Sequence, residues 1–381
     1  MQKIIIAGGG PVGSVLSLSL QQSGIACTVL EARASGASHT DTRALALSHG
    51  SRLILEKLGV WDAVAQSATA INTIHISQRG GFGRTKLNAA DHKLPALGYV
   101  LPYGALTKAL DFALKNADIL YEATALRVST HAAGSEMVFA HKSEEKTLTS
   151  PLIVVADGGH SLEIAGMTRE TKEYGHNALV SKVRAELPHN NIAYERFTPH
   201  GPMALLPNGD KDFSLVWTGE KAAIESLLSL DDATFLSALH TAFGDRVGKF
   251  LSVEKRLSFP LKLSTLKPAT APHIAIIGNA AQTMHPVAGQ GFNVGLRDAV
   301  NLAEAIVGNA PADWGNETML QTYSASRNRD TKGGILFTDF LVNVFSNEVL
   351  GVSALRGAGL GLLDVIRPAK SFLVGKMSYG K

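Results

Sequence analysis

The chain has 381 residues, 45% of them hydrophobic, which is enough for two domains or for one large core with an inserted lobe. A formal net charge of +3 is small for this length and argues against an extended nucleic-acid surface, so no nucleic-acid partner is expected. The single cysteine, Cys27, excludes an internal disulfide framework and suits a reducing compartment.

Ile4–Ala7 is a short, unbroken apolar run, the pattern of a strand buried on both faces of a parallel sheet. It starts straight after Lys3, which leaves no room for a secretory leader. Nowhere do roughly 18 apolar residues run together, so no spanning helix is expected. The expected location is cytoplasmic, with peripheral attachment to the inner face of the cytoplasmic membrane as the variant to test. "PVGSVLSLSLQQSG" reads as a helix, with Pro11 at an early position and Gly24 placed to end it. Ala26–Glu31 is the second strand and completes a βαβ opening, with Cys27 as buried filler.

Further along, Ile71–Leu87 looks like a hairpin. Two more apolar strands span Pro151–Gly159 and His273–Ala281, and they end in Asp157-Gly158 and Gly278-Asn279. Ligands of open α/β sheets sit outside the carboxyl ends of the strands, so these ends and the first one are expected side by side around one long ligand. From Thr171 to Ser264 the pattern alternates, apart from one helical segment near "DDATFLSALHTAFG", as in an inserted, mostly antiparallel sheet. The tail, Thr331–Lys381, reads as helices that pack on the cofactor domain or present an amphipathic surface to a membrane or a partner.

Four stretches carry chemistry. In Gly8-x-Gly10-x-x-Gly13 the first glycine makes the tight turn, the second lets backbone approach a pyrophosphate, and the third allows close helix–strand packing. The helix N-terminus adds free N–H groups and partial positive charge. Glu31, at the end of the second strand, can accept bonds from a ribose diol and would repel a 2′-phosphate. Arg43 stands before an apolar helical pattern, where it reaches phosphates or is simply a solvated arginine. "ADGGHS", with Asp157, is a strand-end ligand site or an ordinary turn. The fourth stretch is "HPVAGQGFNVGLRD", His285–Asp298, where Gly289, Gly291 and Gly295 let the chain pass against a flat ring. A helix N-terminus there suits the negative charge that builds on a reduced flavin ring, and Pro286 offers it a rigid apolar surface.

"HPVAGQGFNVGLRD", from loop to terminal Asp298, resembles the ubiquinone-biosynthesis hydroxylases, a branch of the FAD-dependent aromatic hydroxylases. "GNAAQTMHPVAGQGFN" and "ERFTPHGPMALLP" most resemble the members that act on 2-polyprenyl-6-methoxyphenols, and the similarity runs from Lys3 to about Tyr379.

The resemblance implies an α/β fold. A Rossmann-like FAD-binding domain (residues 1–70, 96–170 and 265–330) carries an inserted antiparallel substrate domain (71–95 and 171–264) and a helical C-terminal region (331–381). It implies that Gly8, Gly10, Pro11, Val12, Gly13, Glu31 and Ala32 hold the ADP half of FAD. Arg43 and Asp157 flank the flavin and the NAD(P)H path. Gly278 and Asn279 meet the ribityl–pyrophosphate region, while Pro286, Gly289, Gln290, Gly291, Phe292 and Asn293 approach the ring. NAD(P)H reduces the flavin, O2 adds to form a C4a-hydroperoxide, and hydroxyl passes to the polyprenylated phenol. Other ubiquinone-biosynthesis proteins and a membrane surface are the further partners it suggests. No metal is expected.

Three positions depart from the broader family: Asn279 replaces an aspartate, Ile164 and Tyr103 replace arginines. A hydrogen-bonding group for the phenol is also expected, because oxygen transfer works best on a phenolate. Tyr194, Arg196 and His200 are candidates, with Tyr194 and Arg196 on one face of a strand, and the sequence does not choose among them. Three other functions fit the residues less fully. They are a hydroxylase of another ring position or of a small soluble phenol, a flavin-binding scaffold, and a simple dehydrogenase, for which a second glycine loop is superfluous.

Overall fold

The computed structural model describes residues 3–80, 84–132, 134–159, 167–198, 201–283, 290–328 and 366–380. Among these, four sheets organise the chain. The first contains β1 (Ile4–Ala7), β2 (Cys27–Glu31), β8 (Asp118–Tyr121), β12 (Ile153–Val155), β19 (Thr270–Ala271) and β20 (Ile274–Ile276). Their order is β19-β20-β12-β1-β2-β8, and all but the edge strand β19 run parallel. β1, β12 and β20 are buried along their whole length, which is why each reads as an unbroken apolar run.

These three strands are immediate neighbours, with Ala7 paired to Val155 and Val155 to Ile276. Gly8, Asp157 and Gly278 therefore emerge at the same sheet end, as the strand-end pattern predicts. Helix α1 (Pro11–Gln22) starts directly after the glycines, with Pro11 in its first turn. It packs with α7 (Gln290–Val307) in the largest core cluster, through Val15, Leu16, Leu296, Ala299 and Leu302.

The opposite face of the parallel sheet is covered by β9 (Ala123–His131), β10 (Gly134–His141) and β11 (Glu144–Ser150). The sequence reading assigned this stretch no element. Its Met137 and Phe139 pack on Ile5 and Ile153, so a meander fills the place where a crossover helix is the usual cover.

The inserted lobe is a nine-stranded sheet. Its members are β5 (Thr73–Gln78), β6 (Arg84–Asn88), β13 (Thr168–Ala185), β14 (Ile192–Thr198), β15 (Gly201–Pro207), β16 (Asp212–Glu220), β17 (Phe250–Val253), β18 (Leu257–Lys267) and β21 (Gln282–Thr283). The predicted hairpin β5–β6 joins it, by parallel pairing of β5 with β14. Helices α5 (Lys221–Ser229) and α6 (Asp232–Phe243) cover the outer face, and α6 starts where Asp231 accepts the Thr234 N–H at 2.8 Å. Met203, Leu205, Phe213, Phe235 and Phe243 form that core, and each buried phenylalanine contributes about 2–3 kcal/mol.

A small sheet links the two lobes: β3 (Ala44–Ser48), β4 (Thr69–Ile71) and β7 (Gly98–Pro102). Helices α2 (His49–Lys57), α3 (Trp61–Val64) and α4 (Tyr103–Ala113) flank it. Of the predicted C-terminal helices, the described part is Arg367–Tyr379. It packs through Leu373, Val374 and Met377 into the cluster that contains Ile71 and Ile74, and Tyr379 meets the edge of His49. Residues 329–365 lie outside the described part. No helix among the described residues is long and apolar enough to cross a membrane.

Candidate functional site

The turn after β1 is shaped by close approach. Gly8 has φ +109°, and a Cβ there would stand 2.5 Å from the Ala156 carbonyl oxygen on the neighbouring strand end. A Cβ on Gly13 would overlap the Gly8 carbonyl oxygen. Gly10 differs: its open side has only the Tyr103 hydroxyl and an Arg33 Nη2 nearby, at 3.8 and 3.9 Å from where a Cβ would be. The half-buried Gly10 and Val12 thus leave an open shelf at the α1 N-terminus, beside the buried Pro11, where the first N–H groups have no intrahelical partner.

Glu31 is buried at the end of β2. Its Oε2 accepts the Gly9 N–H at 2.8 Å and Arg33 Nη2–H at 3.1 Å. Its Oε1 accepts the Arg33 backbone N–H at 2.8 Å and Nε–H at 2.7 Å. Burial pushes this carboxyl up, but the bonds from Arg33 and Gly9 prevail and its pKa is lowered overall. Arg33 is correspondingly held protonated by Glu31, with help from Tyr103. These donors fill the roughly four lone-pair positions of the carboxylate. In this arrangement Glu31 has no lone pair left for a further donor, while the Arg33 side chain is 43% exposed. Ala32 links the two residues, and the sequence reading missed Arg33 altogether.

Arg43, just before β3, makes a two-pronged contact with Asp41 (Nε to Oδ2 2.9 Å, Nη2 to Oδ2 2.6 Å). Its guanidinium lies over the Tyr103 ring, 5.2 Å from the centroid. Tyr103 thus lies between two guanidinium groups, those of Arg33 and Arg43. Asp157 folds back on its own turn, its Oδ1 accepting the Gly159 N–H at 2.8 Å.

Gly278 begins a single 3-10 turn after β20, with Val12 packed against it. Its N–H donates to the buried Asp298 at 3.2 Å, and Asp298 pairs with Arg327 at 3.4 Å. The terminal aspartate of the glycine-rich motif thus fixes the turn that presents the exposed Asn279. Asn293 plays a similar part on the next turn of α7. Its Oδ1 accepts the Ser48 N–H at 2.8 Å and the Ser51 hydroxyl at 2.7 Å, and its amide donates to the Ala46 carbonyl at 3.0 Å. Gln290, Gly291 and Phe292 open α7, while Pro286 and Gly289 lie outside the described residues.

A cavity of about 570 Å³ is lined by some of these residues, Arg43, Asn279 and Gln290–Asn293, and not by Gly8–Gly13, Glu31, Asp157 or Gly278. One wall is Arg43–Ser48 with Asn279 and Gln290–Asn293, and the other is the inner face of the nine-stranded sheet. Met377 of the C-terminal helix contributes to its lining. Strand alternation decides which side chains enter it. Ala193 and Glu195 line the cavity, whereas Tyr194 packs among Phe213 and Phe243 on the outer face. Arg196, on the same outer face as Tyr194, donates to Ser77 at 3.4 Å. The pair does share a face, as predicted, but it is the one turned from the cavity. His200 lies outside the described residues. The residue between the pair, Glu195, was overlooked; burial pushes its carboxyl up to about 8. No group of three His, Cys, Asp or Glu side chains among the described residues is placed to hold a metal.

The family described as "FAD binding domain" matches residues 1–334. The chain belongs to this family. It is an FAD-dependent monooxygenase of the flavoprotein hydroxylase type. Two relatives of this FAD-binding chain span nearly all of it. Ubiquinone hydroxylase UbiL of Rhodospirillum rubrum is 33% identical over 96% of this chain and 87% of its own. The 3-demethoxyubiquinol 3-hydroxylase of Escherichia coli is 30% identical over 94% and 93%. Among solved structures, p-nitrophenol 4-monooxygenase PnpA of Pseudomonas putida shares the fold, with TM-score 0.80 at 16% identity over 99% of this chain and 98% of that one. The site's own geometry fits FAD. The open shelf at Gly10, the α1 N-terminus and two nearby arginines suit a pyrophosphate. The apolar cavity beside α7 suits a flat ring.

Proposed function

We propose that this monooxygenase hydroxylates the aromatic ring of a polyprenylated phenol, of the 2-polyprenyl-6-methoxyphenol type, in ubiquinone biosynthesis, with NAD(P)H and O2 as co-substrates. The observation that carries this reading is the cavity, which runs from the first turn of α7 to a sheet face lined by Ala204, Leu206, Val216 and Leu257. Such walls suit an isoprenoid tail, since each buried CH2 gains about 0.8 kcal/mol. The ubiquinone-pathway names of both relatives support the same class of substrate.

In this reading Gly8, Gly10, Pro11, Val12 and Gly13, with Glu31, Ala32 and Arg33, hold the ADP half of FAD. Arg43, Asp157, Gly278 and Asn279 flank the middle of the cofactor, and Pro286, Gly289 and Gln290–Asn293 approach the ring. When bound, FAD takes reducing equivalents from NAD(P)H and activates dioxygen. The N-terminal end of the α7 dipole favours negative charge beside it. Asn293 and Asp298 keep that end in place through their bonds to β3 and Gly278. The apolar sheet face orients the phenol and excludes water.

The C-terminal helix is the proposed approach for a bilayer-borne substrate, because Met377 lines the cavity while Phe372 on the same helix is 69% exposed. Contacts with other proteins of the pathway would use the same region. The test of the pathway is the pool of quinone intermediates in cells lacking the protein. Accumulation of a prenylated phenol one hydroxylation short of its successor is expected, and an unchanged pool would refute the reading.

A further inference from the structure

The row of the sheet that contains Glu195 can be read from strand register. Glu195 pairs with Ile76 on one side and Ala204 on the other, and the row continues through Val216, Val180 and Leu257. One carboxyl group thus stands among aliphatic neighbours in a row that ends at the buried Thr85, on the face that lines the cavity. It has no hydrogen-bond or ion-pair partner among the described residues. Such an arrangement costs stability and gains nothing from the protein, so the partner that repays it is sought in the cavity.

The other charged groups that line the cavity are committed elsewhere or lie at its edge. Arg43 is bound to Asp41 on the opposite wall, and Lys182 lies 3.1 Å from Asp212 and 3.9 Å from Glu254. Lys255 adjoins Glu254 at the end of β18. The basic residues of β14 and β6, Arg196, Lys86 and Arg84, project from the outer face. The strands beside β14 present Ile74, Pro202, Ala204 and Leu206 to the cavity. A ligand that meets Glu195 therefore meets it in apolar surroundings, across from the α7 turn.

Resting on the phenol-hydroxylase reading above, we propose that Glu195 is the catalytic base that takes the proton of the substrate's phenolic hydroxyl. The phenol O–H bond breaks and a carboxyl O–H bond forms. The bonding pair stays on the phenolate oxygen and delocalises into the ring, so the ortho and para carbons become nucleophilic toward the activated oxygen. Once the hydroxylated ring gives its C–H proton to solvent and regains aromaticity, Glu195 returns its proton to the phenolate, or the dihydroxylated product leaves as its anion with Glu195 still protonated until solvent resets it. A carboxyl with a pKa of about 8 is close enough to a phenol near 10 for efficient transfer, and the rate rises with pH as it ionises.

The experiment compares FAD-loaded wild type with Glu195→Gln, an isosteric change that leaves FAD content as the check on folding. The probe is 2-geranyl-6-methoxyphenol. In single turnover of the reduced, probe-bound protein with O2, the hydroxylation rate is expected to rise with pH and level off above about 8 in wild type, and in the variant to rise only near pH 10, where the phenol ionises unaided. In turnover, kcat is expected to fall about 100-fold or more with KM less affected, to lose its basic limb, and to divert reductant oxidation into peroxide. Equal single-turnover rates and equal pH profiles would overturn the assignment, as would a wild-type rate that declines through pH 8, the mark of a donating acid. Should the variant lose FAD, the wild-type profile decides alone, and a rate that does not rise toward pH 8 overturns the assignment. Wild type that neither binds nor hydroxylates the probe would instead overturn the functional reading.

Discussion

Replacing Glu195 by glutamine should make the protein more stable, and only above mildly acid pH. The carboxyl moves from an ordinary 4.5 to about 8 in the folded chain. Between those values the folded state keeps a proton that the unfolded state has released. Stability therefore falls as pH rises, by about 1.4 kcal/mol per unit, and levels off above the folded pKa. The window of 3.5 units, the difference between 8 and 4.5, sets an upper limit of about 5 kcal/mol. Cavity water relieves part of it, so a gain of about 2–3 kcal/mol for Glu195→Gln at pH 8 is expected, vanishing near pH 4.5. Urea denaturation of both proteins at fixed, saturating FAD, at about pH 5 and pH 8, measures the gap while the other titrating groups cancel. A gap that is the same at both pH values would refute the inference that this carboxyl is buried without a partner.

Glu31→Ala removes the ribose acceptor and releases Arg33, so FAD affinity should fall by about 10- to 100-fold, measured by flavin fluorescence titration; unchanged affinity would contradict its assignment. Gly13→Ala drives a methyl group into the Gly8 carbonyl and should cost about 1–3 kcal/mol and the bound flavin, read from thermal denaturation and flavin content. Deletion of 351–381 should reduce co-sedimentation with anionic vesicles, and equal sedimentation by a folded deletion would exclude the tail as a membrane contact.

What could be read from the sequence was whatever the backbone enforces locally. Gly8 and Gly13 are required by contacts within the turn itself, and the apolar runs of β1, β12 and β20 follow from burial on both faces, so the parallel sheet and its loaded end were legible. Long-range pairings were not. Asn293 bonds to Ser48 and Ser51, and Asp298 to Gly278, across separations that leave no periodic trace. Both residues were noticed for their motif, but their part in bracing the α7 turn appears only in three dimensions. Alternation along β14 gave the right pairing of Tyr194 with Arg196, yet the face that meets the cavity depends on where α5 and α6 pack. That choice moved the candidate by one residue, to Glu195. Residues 123–150 alternate only weakly, and with β9 and β11 mostly exposed no pattern marked them as cover for the parallel sheet.

The central claim, an FAD-dependent hydroxylase of a prenylated phenol, is tested most directly by turnover of the purified, FAD-loaded protein with 2-geranyl-6-methoxyphenol under isotopically labelled dioxygen, with NADH and NADPH each supplied. The expected result is reductant oxidation accelerated by the phenol and a product carrying one labelled oxygen atom. Reductant oxidation indifferent to the phenol, with no labelled product, would contradict it.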